Sequence, residues 1–195
     1  MGSRNILLQV FHPHWFESRA NKRLAAAARR VTSLSFQQME TQYGDYLERV
    51  DVERERVRIQ NADILVMQFP IWSMTFPATV KTYLDTVWFS DFGAPKKVLP
   101  GKRLMLAVTT ELGDADYSAS GRIGHTLEEL LLPLTLSARL AGVEVLGIDA
   151  FYGAMRMSQT ELERASDNYV RKLDETVASA QKNKTVSLKS LKFEL

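Results

Sequence analysis

Asp63-Ile-Leu-Val-Met-Gln-Phe-Pro-Ile-Trp-Ser-Met-Thr-Phe-Pro-Ala-Thr-Val-Lys-Thr-Tyr-Leu-Asp85 is the stretch that decides the fold. Its first part, Ile64 to Phe69, is a short apolar run interrupted only by Gln68, as in a strand buried on both faces. Pro70 ends the run, because proline has no N–H to give to a ladder. Ile71 to Phe76 form an apolar, aromatic loop. Pro77 stands where the first turn of a helix tolerates proline, and a helix is expected from there to about Trp88. The aromatic loop is therefore held at the carboxyl end of a buried strand, the place where open α/β sheets bind ligands.

Outward from this stretch, strand and helix signals alternate. Strands are expected at Ile6–Phe11, Thr32–Phe36, Leu104–Thr109 and Val143–Ala150. Helices are expected at Ala20–Arg30, Val52–Asn61 and Thr126–Leu140, the last interrupted by Pro133 and closed by Gly142. A final helix is expected at Gln159–Ala180, with Ser158 as N-cap and Glu161 three residues on. Five strands alternating with helices imply an α/β fold, a doubly wound five-stranded parallel sheet of order 2-1-3-4-5. The organisation expected is one domain over residues 1–180 and a lysine-bearing tail over 181–195 that lies on the surface or reaches a partner subunit.

Composition narrows the function. The chain has 195 residues, 25% charged and 45% hydrophobic, with a net charge of +2. That charge argues against nucleic acid or an anionic membrane as partner. There is no cysteine, which removes disulfides, thiolate catalysis, iron–sulfur clusters and zinc–thiolate sites. No apolar run approaches the roughly 20 residues of a membrane span. Strand one starts almost at once, leaving no room for a signal peptide, and Ile6 breaks a myristoylation pattern. A cytoplasmic protein without direct membrane insertion is expected.

Three loops at one sheet edge carry the candidate chemistry. The first is His12-Pro-His-Trp-Phe-Glu-Ser-Arg-Ala-Asn21. Ser18 is placed to cap helix one, whose free N–H groups favour an anion, and His12 and Asn21 add donors. Arg19 adds a cation beside that anion. His12 and His14 do not make a metal site without a third ligand. The second loop is Pro70, Ile71, Trp72, Ser73 and Met74: Trp72 offers a flat apolar wall and the backbone offers amide groups. A hydrophobic loop that packs on a dimer partner is the competing reading. The third is Thr109-Thr-Glu-Leu-Gly-Asp-Ala-Asp-Tyr117, after strand four. Gly93 and Gly101-Lys102 have the wrong spacing for a Walker loop, and Ser120-Gly121 lacks the upstream glycine of a nucleophile elbow. Asp51, Glu53 and Glu55 alternate with Arg54, Arg56 and Arg58, as on a solvated charged helix.

Gln68-Phe-Pro-Ile-Trp72, Pro77, Lys81 and Tyr83-Leu-Asp85 resemble the flavin loop of the flavodoxin-like NAD(P)H:quinone oxidoreductases. That group includes DT-diaphorase, the modulators of drug activity and the ancillary flavoproteins of glutathione-gated potassium efflux. Trp72-x-Met74 and Val80-Lys81-x-Tyr83-x-Asp85 are most similar to the drug-activity modulators; other parts are more similar to the potassium-efflux subunits and stress-protein relatives. His12-Pro13 with Ser18-x-x-Asn21 resembles the part that holds the flavin phosphate or pyrophosphate. Thr109-Thr110 matches a Thr-Thr-Gly-Gly motif, with Glu111 and Leu112 in place of the glycines and Gly113 just beyond. Ser73 replaces a further aromatic.

The resemblance implies a flavoenzyme, with FMN or FAD, that takes hydride from NADPH or NADH and passes it to a quinone-like acceptor by a ping-pong mechanism. Tyr117 matches a charge-relaying tyrosine of DT-diaphorase, or lines the substrate pocket. The partner histidine of that enzyme aligns nearest Ile123, and His125 lies two residues later; together Tyr117 and His125 are the candidate catalytic pair. The long loop Phe89–Gly101 has room to shelter an adenine. The resemblance further implies a homodimer with the site at the interface. Its alternatives are a regulatory flavoprotein subunit of a potassium-efflux transporter, with a membrane transporter as partner, and a flavodoxin-like electron carrier.

Overall fold

The computed structural model describes residues 5–89, 96 and 98–190, with side chains described as far as 179. Most of the Phe89–Gly101 loop, and with it the expected adenine shelter, lies outside the described residues.

Five parallel strands form one sheet in the order β2-β1-β3-β4-β5. They are β1 (Ile6–Val10), β2 (Leu34–Gln38), β3 (Ile64–Pro70), β4 (Arg103–Thr109) and β5 (Glu144–Phe151). The register runs Ile6 opposite Ile64 and Ile64 opposite Arg103. Alternation along the strands feeds two cores. Leu7, Leu65, Met67, Phe69, Leu104, Leu106 and Val108 belong to one. Ile6, Leu8, Val10, Ile64, Val66, Met105 and Ala107 belong to the other, under α1 (Arg19–Ala28) and α7 (Gln159–Ser190). The first core lies under α2 (Met39–Tyr43), α3 (Val52–Asn61), α4 (Ala78–Tyr83), α5 (Leu127–Leu130) and α6 (Leu132–Leu140). This is the doubly wound, flavodoxin-like arrangement expected from the sequence.

Several boundaries differ from the sequence-based expectation. β2 lies two residues later than Thr32–Phe36, because its buried positions are the polar Gln37 and Gln38. α2 was not expected; Gln38 caps it by accepting from Thr41 N at 2.5 Å. Pro77 is the N-cap of α4 rather than its first helical residue, and the helix passes into a π-helical turn at Leu84–Trp88. Pro133 breaks the expected long helix into α5 and α6, as its missing N–H demands. The box at Ser158 is made, with Glu161 N donating to Ser158 Oγ at 3.2 Å and Ser158 N donating to Glu161 Oε2 at 2.7 Å. α7 runs through to Ser190 instead of stopping at Ala180. No described helix is long and apolar enough to cross a membrane.

α3 has the solvated charged face that its pattern suggests, with Glu53 and Arg54 exposed, but Glu55 is not part of it. Glu55 is fully buried and Val57 is exposed. The Glu55 carboxylate accepts from Gln9 Nε2 (2.8 Å), Gln37 Nε2 (2.8 Å), Tyr43 OH (2.5 Å), Tyr83 OH (3.0 Å) and the Arg58 guanidinium. Burial and Glu55 together raise the pKa of both tyrosine hydroxyls, so they stay protonated donors. One carboxylate thus ties β1, β2, α2, α3 and α4 together.

Candidate functional site

A cleft of about 520 Å³ opens at the carboxyl ends of β1, β3 and β4 and reaches the segment after β5. β1 is followed by a crossover to β2 on one side while β3 lies on the other, so this is the switch point of the sheet. His12, Ser18, Asn21, Pro70, Ile71, Trp72, Ser73, Thr109, Thr110 and Glu111 all line the cleft. The three loops read from the sequence therefore meet in one place.

Ser18 caps α1, its Oγ accepting from Asn21 N at 3.2 Å. The Asn21 side chain is buried and turned to bracing: Nδ2 donates to Thr109 Oγ1 at 2.9 Å and Oδ1 accepts from Gln68 Nε2 at 3.1 Å. It joins α1 to β3 and β4. His12 is 8% exposed. Its Nδ1 accepts from His14 N at 3.2 Å, so the ring proton of the neutral form is on Nε2. Burial first, then the charge of His14, lowers its pKa from 6.5 to about 4. His12 is thus a neutral Nε2–H donor at physiological pH.

Behind this loop sits Glu40, which the sequence reading overlooked. Its buried carboxylate accepts from His12 N (3.0 Å), Gln38 Nε2 (2.8 Å) and Thr79 Oγ1 (2.8 Å). It ties the first loop to α4, which follows the second loop. Burial raises its pKa against those hydrogen bonds.

In the second loop, Ile71 N donates to Thr109 O at 2.8 Å. Trp72 and Thr75 then exchange backbone hydrogen bonds of 2.7 and 3.1 Å across a tight turn. Ser73 (φ 48°) and Met74 (φ 64°) both take left-handed backbone without being glycine, a conformation that costs about 1–2 kcal/mol per residue. The turn presents Trp72 at the cleft, 45% exposed, with the His14 ring 5.4 Å away at 38°. Met74 is exposed and does not line the cleft.

The third loop is stitched to the end of β5. Thr110 N donates to Phe151 O (3.1 Å), Ala154 N to Thr110 O (2.8 Å) and Gly153 N to Leu112 O (2.8 Å). Glu111 is exposed, and its carbonyl accepts from Arg156 at 3.1 Å. Gly113 N is taken by Asp116 Oδ2 at 2.9 Å, and Gly113 is not on the cleft wall. Tyr117 and His125 are not brought together there either. Tyr117 is buried in the core, its ring 5.7 Å from Tyr152, and burial raises its hydroxyl pKa. His125 is exposed and contacts Glu129 at 3.3 Å. The reason is local: Ile123 N donates to Asp116 O, and Gly121 tucks so close to Asp116 O that a Cβ would lie 2.5 Å from it. The loop closes on itself before His125, which is left just ahead of Thr126, the cap of α5.

Ala154 and Met155 complete the wall. Their own residue types carry no signal; their position after the carboxyl end of β5 does. A second hollow, of about 370 Å³, lies between β5 and α7 around Asp149 and Lys172, away from the three loops.

The Bacillus subtilis protein named uncharacterized NAD(P)H oxidoreductase YrkL is 27% identical over 168 residues, which cover 84% of this chain and 94% of that protein. The potassium-efflux system ancillary protein KefG of Cronobacter sakazakii is 27% identical, over 85% of this chain and 90% of its own. The crystal structure of general stress protein 14 of Treponema denticola in complex with FMN superposes with a TM-score of 0.78 at 30% identity, covering 88% of this chain and 98% of that one. A family model described as flavodoxin-like fold matches residues 4–177. The chain belongs to that flavodoxin-like family.

Proposed function

We propose that the protein is an FMN-dependent NAD(P)H:quinone oxidoreductase. The observation that carries this reading is the meeting, in one cleft, of an anion cradle and an aromatic wall. The donor set fits a phosphorylated flavin. His12 Nε2–H, the Ser18 hydroxyl and the amino end of α1 suit a phosphate. Trp72 suits a flat ring system, and the Trp72–Thr75 turn supplies amide groups for a polar ring edge. General stress protein 14 of Treponema denticola, crystallised with FMN, supports FMN over FAD. The name of YrkL supports NAD(P)H as donor.

When bound, the flavin accepts a hydride and passes it on. The protein's own residues hold and orient. His12 and Ser18 fix the phosphate, Thr109 and Thr110 close the floor, and Trp72 restricts the open face. NAD(P)H gives up one hydride, and the quinone takes up that hydride and a proton to become the quinol. Donor and acceptor occupy the same place in turn, which is ping-pong kinetics. A homodimer closes the exposed side of Trp72 and Met74.

The test is anaerobic. Protein reconstituted with FMN is expected to show flavin absorbance that NADPH or NADH bleaches and a quinone restores. Failure to retain FMN or FAD at any concentration overturns the reading. The similarity to KefG supports a second role, as ancillary subunit of a potassium-efflux transporter; co-purification with such a transporter tests it.

A further inference from the structure

We propose that Arg19 and Arg156 form a subsite for the 2′-phosphate of NADPH on the β5 side of the cleft, making NADPH the preferred donor. This rests on the oxidoreductase reading, since a nicotinamide donor is what brings that group to this rim.

Arg19, the first residue of α1, lines the cleft and donates from its guanidinium to Met157 O. Arg156 donates to Glu111 O at 3.1 Å. The Arg19 guanidinium is thus anchored on the short segment Gly153–Met157, and Arg156, a residue of that segment, reaches across to Glu111; Ala154, Met155 and Glu111 are cleft wall. Each is oriented by a carbonyl, which directs a guanidinium without neutralising it. Among the described residues neither has a carboxylate partner, whereas Arg23 on α1 and Arg30 just after it are paired with Glu163 and Asp167. A guanidinium has five N–H donors in a fixed fork, so most of each fork is left for a ligand. Two such forks suit the oxygens of a phosphate monoester dianion.

Two phosphate monoesters are at issue, that of FMN and the 2′-phosphate of NADPH. Buried His12, half-buried Ser18 and the amino end of α1 already provide for the first, while Arg19 on the cleft wall and Arg156, next in sequence to wall residue Met155, are exposed. The rim is where the far end of a long dinucleotide lies when its nicotinamide is inside. Glu17 and Glu111 also line the cleft. They repel a phosphorylated nucleotide unless cations stand against them, which gives the arginines a reason to be there.

The experiment uses the full chain loaded with FMN. Calorimetric affinities for 2′,5′-ADP and 5′-AMP, and rates with NADPH and NADH, are measured for the wild type, Arg19→Gln, Arg156→Gln and the double variant, with FMN affinity followed alongside. The wild type is expected to bind 2′,5′-ADP about tenfold or more tightly than 5′-AMP, and the double variant to lose most of that ratio together with its NADPH-over-NADH preference. Arg19→Lys, which keeps charge but not the fork, is expected to retain part of it. Equal wild-type affinities, or a preference that survives in the double variant, overturn the proposal. So does a loss of FMN affinity with the nucleotide ratio unchanged, which assigns the arginines to the flavin phosphate. A 2′,5′-ADP preference in a protein that oxidises neither nucleotide defeats the oxidoreductase reading alone. Turnover indifferent to the 2′-phosphate defeats this inference alone.

Discussion

Asn21 Nδ2 donates to Thr109 Oγ1 at 2.9 Å, joining the amino end of α1 to the carboxyl end of β4 across 88 positions of sequence. The same side chain takes Gln68 Nε2. Asn21 thus holds the anion cradle in place from behind. Asn21→Ala takes away one of the two acceptors of Gln68 Nε2, leaving its bond to the Asn21 carbonyl, and unpairs the Thr109 hydroxyl, and is expected to cost about 1–3 kcal/mol in urea denaturation. A change below about half a kcal/mol removes the brace from the account.

His12 makes stability depend on pH. Its folded pKa, about 4, is below the ordinary 6.5. Between those values the unfolded chain binds more protons than the native one, so stability falls as pH drops through that window and levels off below it. Glu40 has the opposite sign, because its raised folded pKa makes the native carboxyl the better proton binder above the ordinary 4.5. The two are separated by comparing wild type with His12→Gln at pH 7.5 and pH 5. The variant is expected to lose less stability on acidification; an identical loss contradicts a buried neutral imidazole.

Trp72 is the exposed wall of the proposed ring site. Trp72→Ala is expected to raise the FMN dissociation constant about tenfold, in line with about 1–3 kcal/mol for an aromatic face stacked on a heterocyclic base. Fluorescence quenching of FMN on titration reads this directly. Unchanged occupancy together with an unchanged reductase rate sinks the assignment.

Met74 pays for the shape of the second loop with a left-handed backbone at φ 64°. A β-branched side chain is worse there, and glycine is not strained. Met74→Val is expected to lower stability by about 1–2 kcal/mol relative to Met74→Gly. Equal melting temperatures mean that the turn is not left-handed in solution.

Glu55 gathers five donors in the core. Glu55→Ala strands two tyrosine hydroxyls, two glutamine amides and a partly buried guanidinium, and is expected to cost about 3 kcal/mol or more. Calorimetry or urea denaturation measures it, and a loss under about 1 kcal/mol means that water replaces the carboxylate.

The strands and the meeting of three loops were legible because both follow from local signals, whereas the 2-1-3-4-5 order was the natural choice for a doubly wound sheet of this length. A short apolar run such as Ile64–Phe69 has to be a central strand. A loop after such a strand has to emerge at the sheet's carboxyl edge. Gln68, Asn21 and Thr109 could each be placed at that edge from sequence, but their mutual hydrogen bonds could not. Glu55 and Glu40 were misread or missed for one reason: charge patterning along a helix or strand says nothing about the donors that other elements bring to a carboxylate.

The sequence by itself determined the α/β class and the three cleft-forming loops, since periodicity and proline positions act over short distances; the β2-β1-β3-β4-β5 order followed from choosing the common doubly wound arrangement for that length. Only the tertiary structure decided that Asn21 braces β4, that His12 is a buried neutral donor and that Arg19 is anchored on the segment after β5, whose Arg156 reaches across to Glu111. It also decided that Tyr117 is core and His125 surface. Burial and hydrogen-bond partners are properties of residues far apart in sequence, and they exist only once the sheet has brought the strand ends together.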